Sequence, residues 1–177
     1  SQLSKLMIGV ARDEGFRAIA IVRRDEQVPL LEGIGAAHAL NADAPDFPAR
    51  LAAVLRDEKP RIFLDAVTGP LAGMVFSAMG RGARWIVYGR LDPTPTTIPE
   101  PGQLIFMHKR IEGFWLTEWM RRAGPERRAQ AAVEAQKRFS DGRWKTDVTA
   151  VVPLVEAVAR VPSELAKPNG KVFIAPG

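Results

Sequence analysis

The chain has 177 residues, 46% hydrophobic and 25% charged, which is enough apolar material for one core and little more than one domain. With no cysteine and only His38 and His108, far apart in sequence, it has no disulfide, no thiolate site and no imidazole pair at ligand spacing, so no metal is expected. The formal charge of +5 is spread along the chain apart from Arg121, Arg122, Arg127 and Arg128; no nucleic-acid-binding motif accompanies this cluster, which reads as a solvated basic face. There is no apolar run of the roughly eighteen residues that a membrane helix needs. A cytoplasmic protein without nucleic-acid or membrane partners is expected.

Ser1–Glu14 sets Leu3, Leu6, Met7, Val10 and Ala11 at spacings of three and four, an amphipathic helix that Gly15 ends. Phe16–Arg24 follows, the stretch around which the chain is organised. Ile19, Ala20, Ile21 and Val22 form a near-continuous apolar run, the pattern of a strand buried on both faces of a parallel sheet. Asp25–Ile34 reads as a short helix, Ala37–Asn41 as a strand, Phe47–Glu58 as a helix broken by Pro60, and Arg61–Val67 as a further buried strand. Leu71–Met79 is helical, and Arg84–Tyr88 is a strand closed by Gly89. Strands alternating with helices at this spacing predict a right-handed parallel sheet. Asp92–Gly102, with four prolines, is a rigid loop. Leu104–Phe106 and Arg110–Leu116 read as extended, Pro125–Phe139 as a charged helix, Val148–Val152 as a strand and Leu154–Val161 as a short helix. A last strand, Lys171–Ala175, follows the turn Pro168-Asn169-Gly170.

The central strand ends in Arg23 and Arg24. Ligands of open α/β sheets bind outside the carboxyl ends of the strands, where two guanidinium groups can hold an anion such as the 2′-phosphate of NADP. The same pair can equally close a strand at the surface.

L-I-F-M-H-K-R-I-E-G-F-W-L-T-E-W (Leu104–Trp119) resembles a segment of the medium-chain dehydrogenase/reductase superfamily, whose members include zinc-binding dehydrogenases, and of its 2-enoyl thioester reductases and NADPH:quinone reductases in particular. In the same order, Ser1–Gly15 resembles the helix after the family's nucleotide-binding turn and I-V-R-R-D (Ile21–Asp25) its NADP-selecting loop. L-D-A-V-T-G (Leu64–Gly69) and W-I-V-Y-G (Trp85–Gly89) resemble the motifs after strands four and five, and G-K-V-F-I (Gly170–Ile174) the closing strand. The resemblance implies a Rossmann-like, doubly wound parallel α/β sheet lacking its first strand and glycine turn. Residues 1–145 would be the NADP-binding part, and residues 146–177 would return toward a catalytic domain outside this sequence. A fragment, a truncated product or a chain with a further part would each fit. Ser4 stands where many relatives have the last glycine of the turn.

The resemblance also implies roles. The amides of Ser1, Gln2 and Leu3 would face the pyrophosphate at a helix N-terminus. Arg23 and Arg24, with the backbone of Asp25, would grip the 2′-phosphate. Tyr88, Gly89, Arg90 and Leu91 would line the ribose and nicotinamide; Phe114, Trp115 and Leu116 would border the nicotinamide and substrate cleft; Lys171 would reach back to the cofactor. The implied reaction is hydride transfer from NADPH to a conjugated carbonyl, as an enoyl thioester or a quinone. The proton donor of such enoyl reductases is a tyrosine in the other domain, and Tyr88, the only tyrosine, does not match it. No catalytic residue is therefore expected in this chain, which alone would be inactive. A homodimer through the edge strand within Arg110–Leu116 is also implied, or else a catalytically empty binding module.

Overall fold

The computed structural model describes residues 1–167 and 170–176. The elements alternate as α1 (Gln2–Asp13), β1 (Ala18–Val22), α2 (Gln27–Gly33), β2 (Ala36–Asn41), α3 (Phe47–Glu58), β3 (Ile62–Asp65), α4 (Gly69–Ala78) and β4 (Arg84–Val87). Then come α5 (Gly102–Phe106), β5 (Arg110–Gly113), α6 (Leu116–Arg122), α7 (Pro125–Ser140), β6 (Val148–Pro153), a 3₁₀ turn at Leu154–Glu156, α8 (Ala157–Leu165) and β7 (Lys171–Ala175). The expected turn at Pro168-Asn169-Gly170 lies largely outside the described residues. The fold is α/β and Rossmann-like, and the chain forms two compact units.

The first unit comprises residues 1–39 and 130–177. Its core gathers Ile8, Leu31, Ala36 and Ala39, with Ala18, Ala20 and Val22 of β1 against them. Ser1 caps α1 by accepting the Ser4 amide on its hydroxyl, and Gly15 follows the helix at φ 75°, a left-handed conformation that glycine adopts without Cβ strain. The far end of α1 is held by Arg138, which is 5% exposed. Its guanidinium meets Asp13 at 3.0 Å, Glu14 at 2.8 Å and Glu134 at 2.8 Å, and lies over the Trp144 ring. That ring rests on Gly9, where a Cβ would come within 3.1 Å of the indole nitrogen. β6 and β7 pair in parallel, with α8 packed on both.

The second unit, residues 40–129, is built on the parallel ladder β3-β4-β5, with Ile62 opposite Arg84 and Arg84 opposite Arg110. Phe47, Leu51 and Leu55 of α3 and Ala72, Val75 and Phe76 of α4 are buried, with Trp85 of β4. Gly73 lets α4 meet the proline-rich loop, since a Cβ there would collide with the Thr97 carbonyl. Buried Lys109 donates from its amine to the carbonyls of Phe76 (2.8 Å) and Ser77 (3.1 Å) and to Oε1 of Gln103 (2.6 Å). A side chain from outside the helix thus reaches carbonyls at the end of α4, that of Phe76 being shared with the Met79 amide.

Several expectations are corrected. Leu104–Phe106 is not extended; it belongs to α5, because Pro101 enters at φ −61° and the Leu104 amide bonds back to its carbonyl. Leu116 leaves the strand and opens α6, a helix the sequence reading missed, supported by Glu118 bridging to Arg122 at 2.6 Å. β1 is half-buried rather than buried, and in β3 Ile62 and Leu64 are exposed. The reason lies in the ladders: β1 pairs only with β2, and β3 only with β4, so one edge of each carries no strand among the described residues. In a doubly wound sheet these are the second and fourth strands, which flank the first.

Candidate functional site

In the first unit, the α1 N-terminus carries Ser1, Gln2 and Leu3. The Ser1 hydroxyl takes the Ser4 amide, and the first helical bond runs from the Lys5 amide to the Ser1 carbonyl. The amides of Gln2 and Leu3 are those that intrahelical bonding leaves open at a first turn. The Gln2 side chain anchors the segment before β6, donating to the Lys145 carbonyl at 2.6 Å and accepting the Asp147 amide at 3.3 Å. Lys5 adds an ion pair to Asp147 at 2.6 Å. Lys171 begins β7, and its amide donates to the Asp147 carbonyl. Gln2, Lys5 and Lys171 therefore meet on the one segment around Asp147.

Arg23, Arg24 and Asp25 follow β1 directly and are exposed. The Gln27 amide bonds to the Arg24 carbonyl and the Val28 amide to that of Asp25, which rolls the segment straight into α2. Arg24 faces Glu26 at 3.5 Å, a surface pair that contributes little and can exchange for a stronger anion.

In the second unit, the carboxyl ends of β3, β4 and β5 carry the other candidates. Tyr88, Gly89, Arg90 and Leu91 follow β4; Leu91 is exposed and Arg90 donates to the Pro93 carbonyl at 3.1 Å. Gly89 sits where a Cβ would lie 2.9 Å from the Ala66 carbonyl oxygen, so no other residue fits without moving the backbone. Phe114 and Trp115 leave β5 and line a cleft of about 600 Å³ with Val87, Trp119, Arg122 and Arg127. Leu116 lies outside that lining, exposed at the start of α6. Arg122 and Arg127 of the basic cluster form part of the wall of this aromatic cleft, and Arg121 lies 5.5 Å over the Trp115 ring.

The sequence reading passed over the turn after β3. Thr68 stands at φ 66°, ψ −148°, a conformation that costs a β-branched residue about 1–3 kcal/mol and concentrates at functional sites. The Asp65 side chain accepts the amides of Val67 and Thr68. Only the L-D-A-V-T-G resemblance hinted at it, since a left-handed threonine has no signature in the sequence.

The fold and the site are those of a Rossmann-type α/β protein with candidate groups at the carboxyl ends of its strands. The zinc-binding dehydrogenase profile matches residues 3–134, and the chain belongs to that family. Among the described residues no group of three or more His, Cys, Asp or Glu side chains is placed to hold a metal ion, so the donor set here does not fit zinc. The chain is 69% identical to a Mesorhizobium loti protein provisionally called an NADPH:quinone reductase, with TM-score 0.92 over 99% of this chain and 51% of that one. It is 26% identical to the mitochondrial enoyl-[acyl-carrier-protein] reductase of Xenopus tropicalis, over 67% of this chain and 35% of that protein. An enoyl thioester reductase from Candida tropicalis, 19% identical over 99% of this chain and 51% of its own, shares the fold at TM-score 0.79. The chain thus spans about half or less of these relatives.

Proposed function

We propose that this chain is the cofactor-binding portion of an NADPH-dependent oxidoreductase that reduces a conjugated carbonyl, a 2-enoyl thioester, by hydride transfer. The observation that carries the reading is the exposed Arg23-Arg24 pair closing β1 in a family member, where an NAD-binding protein has an acidic residue for the ribose hydroxyls. The open amides of Gln2 and Leu3 suit a pyrophosphate. Gly89 lets the loop after β4 lie close against Ala66 at the carboxyl ends of the strands, and the Phe114–Trp115 cleft suits a flat ring. Relatives support it: a solved Etr1p complex contains NADP and crotonyl-CoA, and the curated relatives are enoyl reductases.

When bound, NADPH supplies the hydride that adds to the β-carbon of the substrate. This chain's residues hold and orient the cofactor; the proton that completes the reduction comes from a group outside it. A quinone reductase is the second reading, favoured by the provisional name of the Mesorhizobium loti relative. No helix among the described residues is long and apolar enough to cross a membrane, and the cysteine-free chain suits the reducing cytoplasm. A homodimer through β5 belongs to the same reading, and a heterodimeric 2-enoyl thioester reductase is among the solved relatives.

Calorimetric titration with NADPH and NADH tests it. The wild type should prefer NADPH, and Arg23→Ala/Arg24→Ala should lose roughly tenfold or more in NADPH affinity, the scale of one or two charge-assisted hydrogen bonds, with NADH unchanged. A folded wild type that gives neither heat nor a melting shift at millimolar NADPH overturns the reading.

A further inference from the structure

We infer that Asp65 is a positioning residue for the loop 88–92: its buried carboxylate fixes the turn 66–69, and that turn fixes the backbone of the candidate cofactor residues. The inference rests on the NADPH reading above.

Asp65 ends β3 and is 5% exposed. Its Oδ1 accepts the amides of Val67 at 2.8 Å and Thr68 at 3.0 Å. Its Oδ2 accepts the Thr68 amide at 3.2 Å and the indole N–H of Trp85 at 3.0 Å. Trp85 is itself 2% exposed, with the Phe63 ring 5.8 Å away and the Phe76 ring 5.3 Å away. The carboxylate is therefore anchored on its core side by an immobile ring and grips the turn on the other. Thr68 is held left-handed at φ 66° by a side chain three residues earlier.

The turn in turn holds the second loop. The Tyr88 amide donates to the Asp65 carbonyl at 2.8 Å, the Leu91 amide to that of Ala66 at 3.0 Å and the Asp92 amide to that of Val67 at 2.9 Å. The Thr68 hydroxyl, whose nearer acceptor is the Val67 carbonyl at 2.5 Å, also lies 3.3 Å from the Asp92 carbonyl. Gly89 lies against Ala66 with no room for a Cβ, and the Gly69 amide donates to the Thr96 hydroxyl at 2.9 Å. The two loops are one hydrogen-bonded body, and the Asp65 carboxylate is where that body is fastened to the core. A rotation of the turn would carry Tyr88, Gly89, Arg90 and Leu91 with it. Only a cofactor that reaches those residues would sense it.

The test pairs two ligands on the full chain: NADPH, and adenosine 2′,5′-bisphosphate, which carries the 2′-phosphate end without the nicotinamide. Asn at position 65 keeps one acceptor and sets an amide N–H against the Trp85 indole N–H. Asp65→Asn should weaken NADPH by about tenfold and leave the bisphosphate unchanged. Adding Thr68→Gly should restore NADPH binding, since glycine holds the turn without strain. Equal loss of both ligands, loss of neither, or no rescue would overturn the proposal. A wild type that binds neither ligand brings down the NADPH reading itself, and the inference with it, before any variant is made. Thermal melts of the same samples report folding. If Asp65→Asn does not fold, Trp85→Phe takes its place: it removes the indole donor to Oδ2 and also shrinks a buried ring between Phe63 and Phe76, so its melt is read beside its binding. A few-fold loss for NADPH alone is then expected, and no selective loss overturns the proposal.

Discussion

Lys109 shows how a residue can look like surface in the sequence and be structural in the fold. It sits between His108 and Arg110 in a polar run, yet it is 3% exposed and its amine caps α4. Burial lowers its pKa, the expected direction for a cation taken out of water. Lys109→Met keeps the stem and removes the donors, leaving the Ser77 carbonyl and the Gln103 amide oxygen without the amine and the Phe76 carbonyl with the Met79 amide at 3.2 Å. It should lower stability by about 1–3 kcal/mol in urea melts, the cost of buried acceptors left unsatisfied. Arg138 is similar: its place in a charged helix hid that three carboxylates converge on it. Periodicity reports apolar faces, and both residues are buried through their polar ends. Asp65 is the counterpart at the candidate site, near a strand end by sequence and the anchor of a turn by structure.

At the scale of elements, β5 is the edge of the β3-β4-β5 ladder. The Arg110 and Phe114 amides bond to the Ala83 and Val87 carbonyls of the neighbouring segment. Alternation along the strand turns the Ile111 amide to the open edge. Ile111→Pro therefore removes an outward donor and leaves the ladder to β4 in place. If two copies pair through this edge, light scattering should read a dimer for the wild type and a monomer for the variant, with matching melts. A dimer that survives the substitution counts against β5 as the contact. Arg84 and Glu112 strengthen the inner side of this strand with two hydrogen bonds of 2.7 Å. The helices that were misread, α5 and α6, are short. Their apolar residues are too few for a period to stand out, and Pro101 and the Glu118–Arg122 pair decide them locally.

Over the whole molecule, carboxylates paired with arginines set the response to acid. Asp13 is hydrogen-bonded by Arg12 and faced by Arg143 and Arg138; Asp141 is hydrogen-bonded by Arg143, and Glu112 by Arg84. Each is held below the ordinary carboxyl range. A folded pKa below the unfolded one gives stability that is present above the unfolded value, near about 4, and lost as pH falls through the folded value. The melting temperature should thus fall between about pH 5 and about pH 2, and Arg138→Met should make that fall shallower by removing one of the charges facing Asp13. A melting temperature flat across this range would contradict the assignment. The order of strands and helices from α1 to β4, the place of the Arg23-Arg24 pair and the family itself were legible in the sequence. Apolar period, glycine stops and ordered motifs are local, and locality is what a linear chain records. Only the tertiary structure decided that Lys109 and Arg138 are interior, and that Asp65 ties one loop to another. Each of these depends on which distant group arrives beside a residue, and spacing along the chain does not encode that.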